Sequence, residues 1–268
     1  MGYLMLLCLP FLLAGGAALA WPAFSMRYAL PEYTVPTPKL PAGARVRILL
    51  LSDLHSEPSA KRRDKLAAMI HAAAPDLILL AGDIVDDLRL RSGAEAFFRE
   101  LQTAAPRYYA YGNHEFRGDL PEIDGLLHRP GVHILSDCWE TVEVCGQRML
   151  IAGMDDPESP AFQRNTMLWG ARAKKVFAPL VGETGCFRIL ISHRPDLARV
   201  YRSLPFDLVV SGHAHGGQVH LPGLPDGLYA PDQGLLPADT GGMRRYPGGV
   251  THIISRGAAV YPAIPPLW

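Results

Sequence analysis

The chain has 268 residues, of which 49% are hydrophobic, which is enough for a large buried core and too much for a disordered protein. Its 26 basic and 26 acidic residues cancel, so the net charge gives no support to a nucleic-acid-binding surface. The four cysteines, Cys8, Cys138, Cys145 and Cys186, show no paired CxxC spacing, which argues against a structural zinc site or a disulfide framework.

The N-terminal segment is apolar, with no charged side chain from Met1 to Phe24. A helix of that length, rising about 1.5 Å per residue, would cross a hydrocarbon layer about 30 Å thick. We therefore predict a transmembrane anchor over residues 1–25. A cleavable signal peptide, which would export the protein, is the alternative, because Ala18-Leu19-Ala20 resembles a processing site. Basic residues follow the span, which favours anchoring in the inner membrane with a cytoplasmic catalytic part.

The residues after the anchor divide into a linker and a folded part. Residues 26–44 are rich in proline and are predicted to form an extended tether. Residues 45–268 are then the folded domain. Apolar runs over 47–51, 77–81 and 108–111 alternate with amphipathic stretches over 61–74 and 89–104, which predicts right-handed crossovers in a largely parallel sheet.

The second half of the domain has a different pattern. Short alternating strands joined by Cys145-Gly146-Gln147 predict a hairpin, and apolar runs over 187–191 and 206–210 predict two buried strands. We therefore expect a second sheet that faces the first. Ligand sites in such α/β sheets lie beyond the carboxyl ends of the strands, and the apolar runs of both halves end in polar residues.

Seven potential metal ligands follow the predicted strands. They exceed the needs of one tetrahedral zinc and suffice for two ions, which in two-metal sites lie about 3.5–4 Å apart and clamp the oxygens of an in-line displacement. Asp53 and His55, two residues apart, are expected to point to one side of an extended chain. Asp83 is our candidate for the carboxylate that bridges the ions. The seven are Asp53, His55, Asp83, Asn113, His193, His213 and His215.

The charge of this cluster favours a phosphate ester as substrate. Two divalent ions outweigh the carboxylates of Asp53 and Asp83, and the neutral amide of Asn113 preserves the positive excess. A water between the metals, its pKa lowered, would be the nucleophile. His114 is predicted to face the substrate, where it protonates the leaving alkoxide or stabilises the phosphoryl oxygens. Glu115 is expected to orient His114 or to cap the following turn. Weaker candidates for contacts to phosphate are Arg117, Arg194 and Gln218.

The blocks SDLH, GDIVDD, GNHE, SH and GHAHGGQ, in this order, resemble the five metal-binding blocks of calcineurin-like metallophosphoesterases. Residues 31–41 further resemble the membrane-associated bacterial branch, the YaeI/YkuE-like phosphodiesterases. The resemblance implies an α/β fold, a four-layer α/β/β/α sandwich, with two Mn, Fe or Zn ions and ester hydrolysis by a bridging hydroxide. It also implies one metal on Asp53, His55, Asp83 and His215, and the other on Asp83, Asn113, His193 and His213.

Together these features predict a membrane-anchored two-metal phosphohydrolase that cleaves phosphodiester or pyrophosphate bonds of a lipid-linked or nucleotide-linked substrate. Related enzymes cleave UDP-2,3-diacylglucosamine, which is therefore one candidate. The alternatives are a phosphomonoesterase or protein phosphatase, and a non-catalytic membrane-tethered binding protein. Residues 221–249, rich in proline and glycine, are either a lid for a lipid substrate or a long loop packed on its own side chains.

Overall fold

The computed structural model describes residues 28–101, 103–183, 185–218 and 226–259. The predicted anchor, residues 1–25, lies outside these ranges. Among the helices in the described ranges, none combines the length and the apolar composition needed to span a bilayer.

The first sheet consists of four parallel strands and carries its helices on one face. The strands lie side by side in chain order; they are β1 (Ile48–Leu51), β2 (Leu77–Ala81), β3 (Arg107–Ala110) and β4 (Val132–Ile134). All five residues of β2 are buried, as expected for a central strand covered on both faces. The helices are α1 (Ala60–Ala73), α2 (Ser92–Glu100), α3 (Asn113–Arg117) and α4 (Leu120–His128).

Helix α2 is shorter than the predicted helix over residues 89–104. The carboxylate of Asp86 accepts hydrogen bonds from the backbone N–H groups of Leu88 and Arg89 at 2.7 and 2.9 Å. These bonds hold the chain in a turn, so the helix begins only at Ser92.

The second sheet has six strands and is mixed. The strands are β5 (Cys138–Val144), β6 (Gln147–Met154), β7 (Phe187–Ser192), β8 (Leu208–Ser211), β11 (Gly242–Arg245) and β12 (Thr251–Ile254). Their order across the sheet is β11-β12-β8-β7-β6-β5, in which the two outer pairs are antiparallel and the inner pairs parallel. The remaining elements are α5 (Thr166–Phe177), α6 (Ala198–Tyr201) and a hairpin of β9 (Tyr229–Ala230) and β10 (Gly234–Leu235).

Three apolar clusters define the layers. Side chains such as Leu79 of β2 and Ile189 of β7 pack together between the two sheets. Phe97 of α2 packs in a cluster on the outer face of the first sheet, and Trp169 of α5 in a cluster on the outer face of the second. The layers therefore run helix, sheet, sheet, helix. The loops that follow β1, β2, β3, β7 and β8 meet at one edge, where the site described below is found.

The proline-rich linker and the region 221–249 both lie against the domain over their described parts. From Tyr28 onward the linker forms neither helix nor strand, but Val35 packs on the cluster between the sheets and Lys39 Nζ lies 2.8 Å from Asp207 Oδ2. It is therefore packed rather than free. Residues 226–245 contribute the β9–β10 hairpin and the edge strand β11, which joins the second sheet through β12.

Asp155, at the end of β6, makes the stability of the fold depend on pH. Burial raises the pKa of its carboxyl to about 7 from an ordinary value of 3.8, against the opposing hydrogen bond from Ser136. The folded state therefore holds a proton that the unfolded state has already released. Stability should fall as pH rises from about 4 to about 7, by about 1.4 kcal/mol per pH unit at most.

We expect Asp155→Asn to remove this dependence. The amide cannot ionise, and its oxygen can still accept the bond that the Ser136 hydroxyl now donates at 2.7 Å. The free energy of unfolding, measured in guanidinium between pH 5 and 8, should decline more steeply in the parent than in the variant. Asp64→Asn, at an exposed position of α1, is the control. Equal slopes in parent and Asp155→Asn would contradict the expectation.

Candidate metal centre

Five of the seven predicted ligands have left-handed backbone conformations. Their φ angles lie between 46° and 66°, and each such non-glycine residue costs roughly 1–2 kcal/mol. The chain after β1 is therefore not extended, and the expectation that Asp53 and His55 converge through strand alternation is wrong. Sharp turns bring them together instead. The five are Asp53, His55, Asp83, His213 and His215.

The turns after β1 and β2 are held side by side by the backbone. The N–H of Asp53 donates to the carbonyl of Gly82 at 3.0 Å, and that of His55 donates to the carbonyl of Asp83 at 2.9 Å. The N–H of His213, in the loop after β8, donates to Asp53 Oδ1 at 3.0 Å. Backbone hydrogen bonds thus place three of the ligand-bearing loops against one another.

The ligand atoms form two adjoining groups. Those of Asp53, His55 and His215 lie within 4.8 Å of one another, as do those of Asp83, His193 and His213. Asp83 Oδ2 lies 3.1 Å from His193 Nε2 and 3.8 Å from His55 Nε2. Asp83 therefore belongs to the second group and also adjoins the first, which is the position expected of a bridging carboxylate.

Hydrogen bonds on the outer nitrogens orient the rings of the second group. His193 Nδ1 donates to the carbonyl of Ala81 at 2.7 Å, and His213 Nε2 donates to Asp232 Oδ2 at 2.9 Å. The inner nitrogens, His193 Nε2 and His213 Nδ1, lie 3.2 Å apart, and His193 Nε2 lies 3.1 Å from Asp83 Oδ2. Burial lowers the pKa of His193, but the Asp83 carboxylate outweighs it and raises the pKa to about 10, so Nε2 holds a proton against Asp83. Two imidazole nitrogens and a carboxylate oxygen converge here, and a cation that took the place of this proton would have all three as ligands.

The remaining ligands fit the same interpretation. Asn113 Oδ1 is buried and has no hydrogen-bond donor among the described residues, although a buried oxygen normally has one. Burial lowers the pKa of His215 to about 4, so its ring is neutral at pH 7, the form that binds metal. His55 Nδ1 lies 2.9 Å from Asp86 Oδ2, a bond that turns Nε2 toward Asp83.

Three carboxylates that orient histidines, Asp86, Asp87 and Asp232, were not predicted from the sequence. Asp86 lies in the GDIVDD block, three residues after Asp83, and the density of carboxylates in that block was the available signal. Asp232 lies in the region 221–249, where no motif marked it. The His213 hydrogen bond, with Arg194 nearby, lowers the pKa of Asp232 to about 2 despite the opposing effect of burial, so Asp232 is anionic.

His114 is paired with Asp87 rather than with Glu115. Its Nδ1 lies 2.5 Å from Asp87 Oδ1, and its Nε2 lies 3.9 Å from Asp83 Oδ2. Burial alone would lower the pKa of His114, but the carboxylates of Asp83, Asp87 and Asp86 outweigh it and raise the pKa above the ordinary value. These carboxylates favour the protonated ring.

Glu115 links the two loops that carry Asp83 and Asn113. It is fully buried, and its carboxylate accepts backbone hydrogen bonds from Gly112 at 2.8 Å and from Asp83 and Val85 at 2.9 Å. The hydroxyl of Tyr109 also donates to it. Of its two expected roles, capping is the one that the structure displays. Glu115 also fixes the backbone of the Asp83 loop.

A pocket of about 280 Å³ opens over the ligands, near the lower limit of small-molecule sites. Of the three weaker candidates, Arg117 lines it, together with Asn113 and His114. Arg194 is buried and paired with Asp156, its Nε lying 2.9 Å from Asp156 Oδ2. Neither Arg194 nor Gln218 is among the residues that line the pocket; the guanidinium of Arg194 instead faces its carboxylate partners.

The chain is similar to proteins of a known family. The model of the calcineurin-like phosphoesterase family matches residues 46–217. Phosphodiesterase YaeI of Escherichia coli (strain K12) is 29% identical over 67% of this chain and 64% of its own length. Metallophosphoesterase YkuE of Bacillus subtilis (strain 168) is 29% identical over 91% of this chain and 86% of its own. The chain spans less than half the length of some other relatives that it matches.

The fold is shared with solved structures. NAD nucleotidase of Haemophilus influenzae superposes on 80% of this chain and 46% of its own, with a TM-score of 0.54 and 18% sequence identity. At that identity the likeness concerns the fold alone.

Proposed function

This chain belongs to the calcineurin-like phosphoesterase family, and we propose that it hydrolyses phosphodiester or pyrophosphate bonds with two divalent metal ions, Mn²⁺ foremost and Fe or Zn as alternatives. The observation that carries the proposal is the convergence of His193 Nε2, His213 Nδ1 and Asp83 Oδ2 within hydrogen-bonding distance, next to the group formed by Asp53, His55 and His215. Two adjoining groups of imidazole nitrogens and carboxylate oxygens suit two cations.

Each ligand has a place in the proposed centre. Asp53, His55 and His215 would hold one ion and Asn113, His193 and His213 the other, with Asp83 shared between them. When bound, the ions would polarise the phosphoryl oxygens and lower the pKa of a coordinated water. His114 donates its Nε2 proton to the leaving oxygen, and Asp87 holds the ring through Nδ1.

We expect His114→Gln to reduce kcat according to the leaving group. A general acid contributes roughly 10²–10⁴-fold, and this contribution matters most for an alkoxide, which needs the proton. Turnover of an alkyl phosphodiester should therefore fall far more than that of bis(p-nitrophenyl) phosphate, whose leaving group departs as the anion. His133→Gln, at an exposed histidine paired with Glu140, is the control. Equal losses on both substrates would show that His114 is not the acid.

The test of the proposed function is metal-dependent turnover. The purified protein, stripped with a chelator and reloaded with Mn²⁺, should hydrolyse bis(p-nitrophenyl) phosphate and lose this activity when the metal is removed. Parallel rates on p-nitrophenyl phosphate separate a diesterase from a phosphomonoesterase. Absence of metal-dependent turnover on both would contradict the proposal.

The proposal extends to the membrane. An enzyme anchored through residues 1–25 on the cytoplasmic face of the inner membrane would act on a lipid-linked substrate, for which UDP-2,3-diacylglucosamine is the named candidate. Two observations support it: residues 1–24 carry no charge, and Leu88 and Leu235 are 86% and 72% exposed, Leu235 pairing with Tyr229 of the pocket wall. The full chain should resist carbonate extraction from membranes and turn over this lipid in mixed micelles. Extraction into the soluble fraction would contradict the membrane anchor, and absence of turnover of the lipid would contradict the proposed substrate.

A further inference from the structure

Three arginine side chains converge on one glutamate beside the pocket. Glu158 accepts two hydrogen bonds from Arg117, at 2.7 Å from Nε and 2.6 Å from Nη2. Arg164 Nη2 lies 3.0 Å from Glu158 Oε1, and Arg194 Nη2 lies 3.5 Å from it. The Glu158 side chain is only 8% exposed, and Arg194 is buried as well, so Arg117 and Arg164 are the members of this cluster that face the solvent.

Three carboxylates match the three arginines in number, but the arginines differ in exposure. Arg194 is buried and paired with Asp156, with which it makes two hydrogen bonds at 2.9 and 3.3 Å, and it also contacts Asp232. Arg117 and Arg164 share the carboxylate of Glu158. The carboxylates that line the pocket, Asp83 and Asp232, are occupied by the histidines and by Arg194.

Arg117 and Arg164 present their guanidinium groups to the pocket. Both line it, and their side chains are 41% and 66% exposed. A guanidinium has five N–H donors, and Glu158 uses two of those on Arg117. The donors that remain have the planar geometry that binds a phosphate through two parallel hydrogen bonds.

The backbone holds Arg164 in place at an energetic cost. Gln163 and Arg164 have φ angles of 49° and 63°, two consecutive left-handed conformations without a glycine. Their N–H groups donate to the carbonyls of Ser159, at 3.1 Å, and Pro157, at 2.7 Å. Strain of roughly 1–2 kcal/mol per residue persists only where the surroundings impose it, and it concentrates at functional sites.

We propose that Arg117 and Arg164, which Glu158 holds in position, bind a second phosphate group of the substrate while the scissile phosphate lies over the metal ligands. The inference rests on the proposed function and narrows the substrate class to phosphodiesters or pyrophosphates that carry a further phosphate charge, as nucleoside diphosphate derivatives do. A neutral diester such as one between two simple alcohols lacks the group that this subsite recognises.

Three nitrophenyl esters of thymidine test the subsite. They are the 5′-monophosphate ester, the same ester with a 3′-phosphate, and the 5′-diphosphate ester. The first two release nitrophenolate on hydrolysis; the third releases nitrophenolate or, when the pyrophosphate bond is cut, nitrophenyl phosphate, which added alkaline phosphatase in a quenched sample converts to nitrophenolate. The parent enzyme with Mn²⁺ should prefer at least one of the two doubly phosphorylated esters, in kcat/KM, by about tenfold or more, the worth of a charge-assisted hydrogen-bonded contact. Which of the two is preferred reports the distance between the phosphates.

Arg164→Gln and Arg117→Gln should each abolish most of that preference, and Arg164→Gln should leave kcat/KM on the monophosphate ester within about threefold, since a charge-assisted contact is lost only where a partner phosphate exists. Arg172→Gln, at an arginine paired with Asp137 away from the pocket, is the matched control and should keep the preference. Equal rates of the parent on all three esters, or equal losses on all three in the variants, would overturn the subsite. No turnover of any ester by the parent would instead contradict the proposed hydrolase.

Discussion

Asp83→Asn should abolish metal-dependent phosphoester hydrolysis while leaving the fold intact. Asp83 Oδ2 lies within 4 Å of His193, His55 and His114, so in the proposed centre it would be shared by both ions and lie near the proposed acid. An amide cannot offset the repulsion between two cations. Loss of the several kcal/mol that a bound metal contributes, at about 1.4 kcal/mol per tenfold, predicts a fall in kcat of about a thousandfold or more.

The measurement is kcat on bis(p-nitrophenyl) phosphate together with bound metal by mass spectrometry. Far-ultraviolet circular dichroism and the melting temperature serve as the check on folding. Asp64→Asn, on the exposed face of α1, should leave both quantities unchanged. If Asp83→Asn kept more than about a tenth of the parental kcat, a margin of 1.4 kcal/mol, Asp83 would not be the shared carboxylate.

The second large effect is expected from Gly112→Ala. A Cβ at this position would lie 2.2 Å from Asp83 Oδ1 and 2.8 Å from the backbone nitrogen of Asp83, distances at which atoms overlap. The Asp83 carboxylate also accepts from the N–H of His114 at 3.0 Å, so it cannot move without losing that bond. A displacement of about 1 Å at a catalytic group costs about 100-fold in rate, and we expect a loss of at least that size in kcat.

Gly125→Ala is the matched control for this change. Gly125 lies within α4, where an added Cβ would meet nothing within 4 Å, and alanine in a helix is favoured over glycine by about 1 kcal/mol. The control should keep full activity and melt at a slightly higher temperature. Full activity in Gly112→Ala would mean that the Asp83 loop can shift to accommodate the added Cβ without loss of function, which would contradict a tightly fixed Asp83 carboxylate.

The strand framework could be predicted from the sequence because its signals are local. The apolar run over 77–81 became β2 at the same residues, and the polar residues after each run marked the edge where the site lies. Asp83 follows a strand of the first sheet and His193 a strand of the second, yet their side chains lie 3.1 Å apart. This proximity was predictable, because the two sheets were expected to face each other with their strand ends at one edge.

Features set by loop conformation were beyond such reasoning. Asp53 and His55 adopt left-handed conformations without a glycine that would have indicated a turn in the sequence. The predicted convergence of their side chains is correct, but it results from these turns and not from strand alternation. Asp232 and Arg164 reach the site from loops whose paths depend on tertiary contacts, so neither residue had a local signal. The pairing of His114 with Asp87 instead of the adjacent Glu115 likewise depended on which way the turn after β2 runs.

Anomalous scattering from crystals grown with Mn²⁺ tests the dinuclear centre most directly. The account predicts two peaks in the anomalous difference map, about 3.5–4 Å apart as in other two-metal sites. One should be bounded by Asp53, His55 and His215, the other by Asn113, His193 and His213, with Asp83 between them. A map with no peak among these side chains, or with a single peak that all seven share, would contradict it.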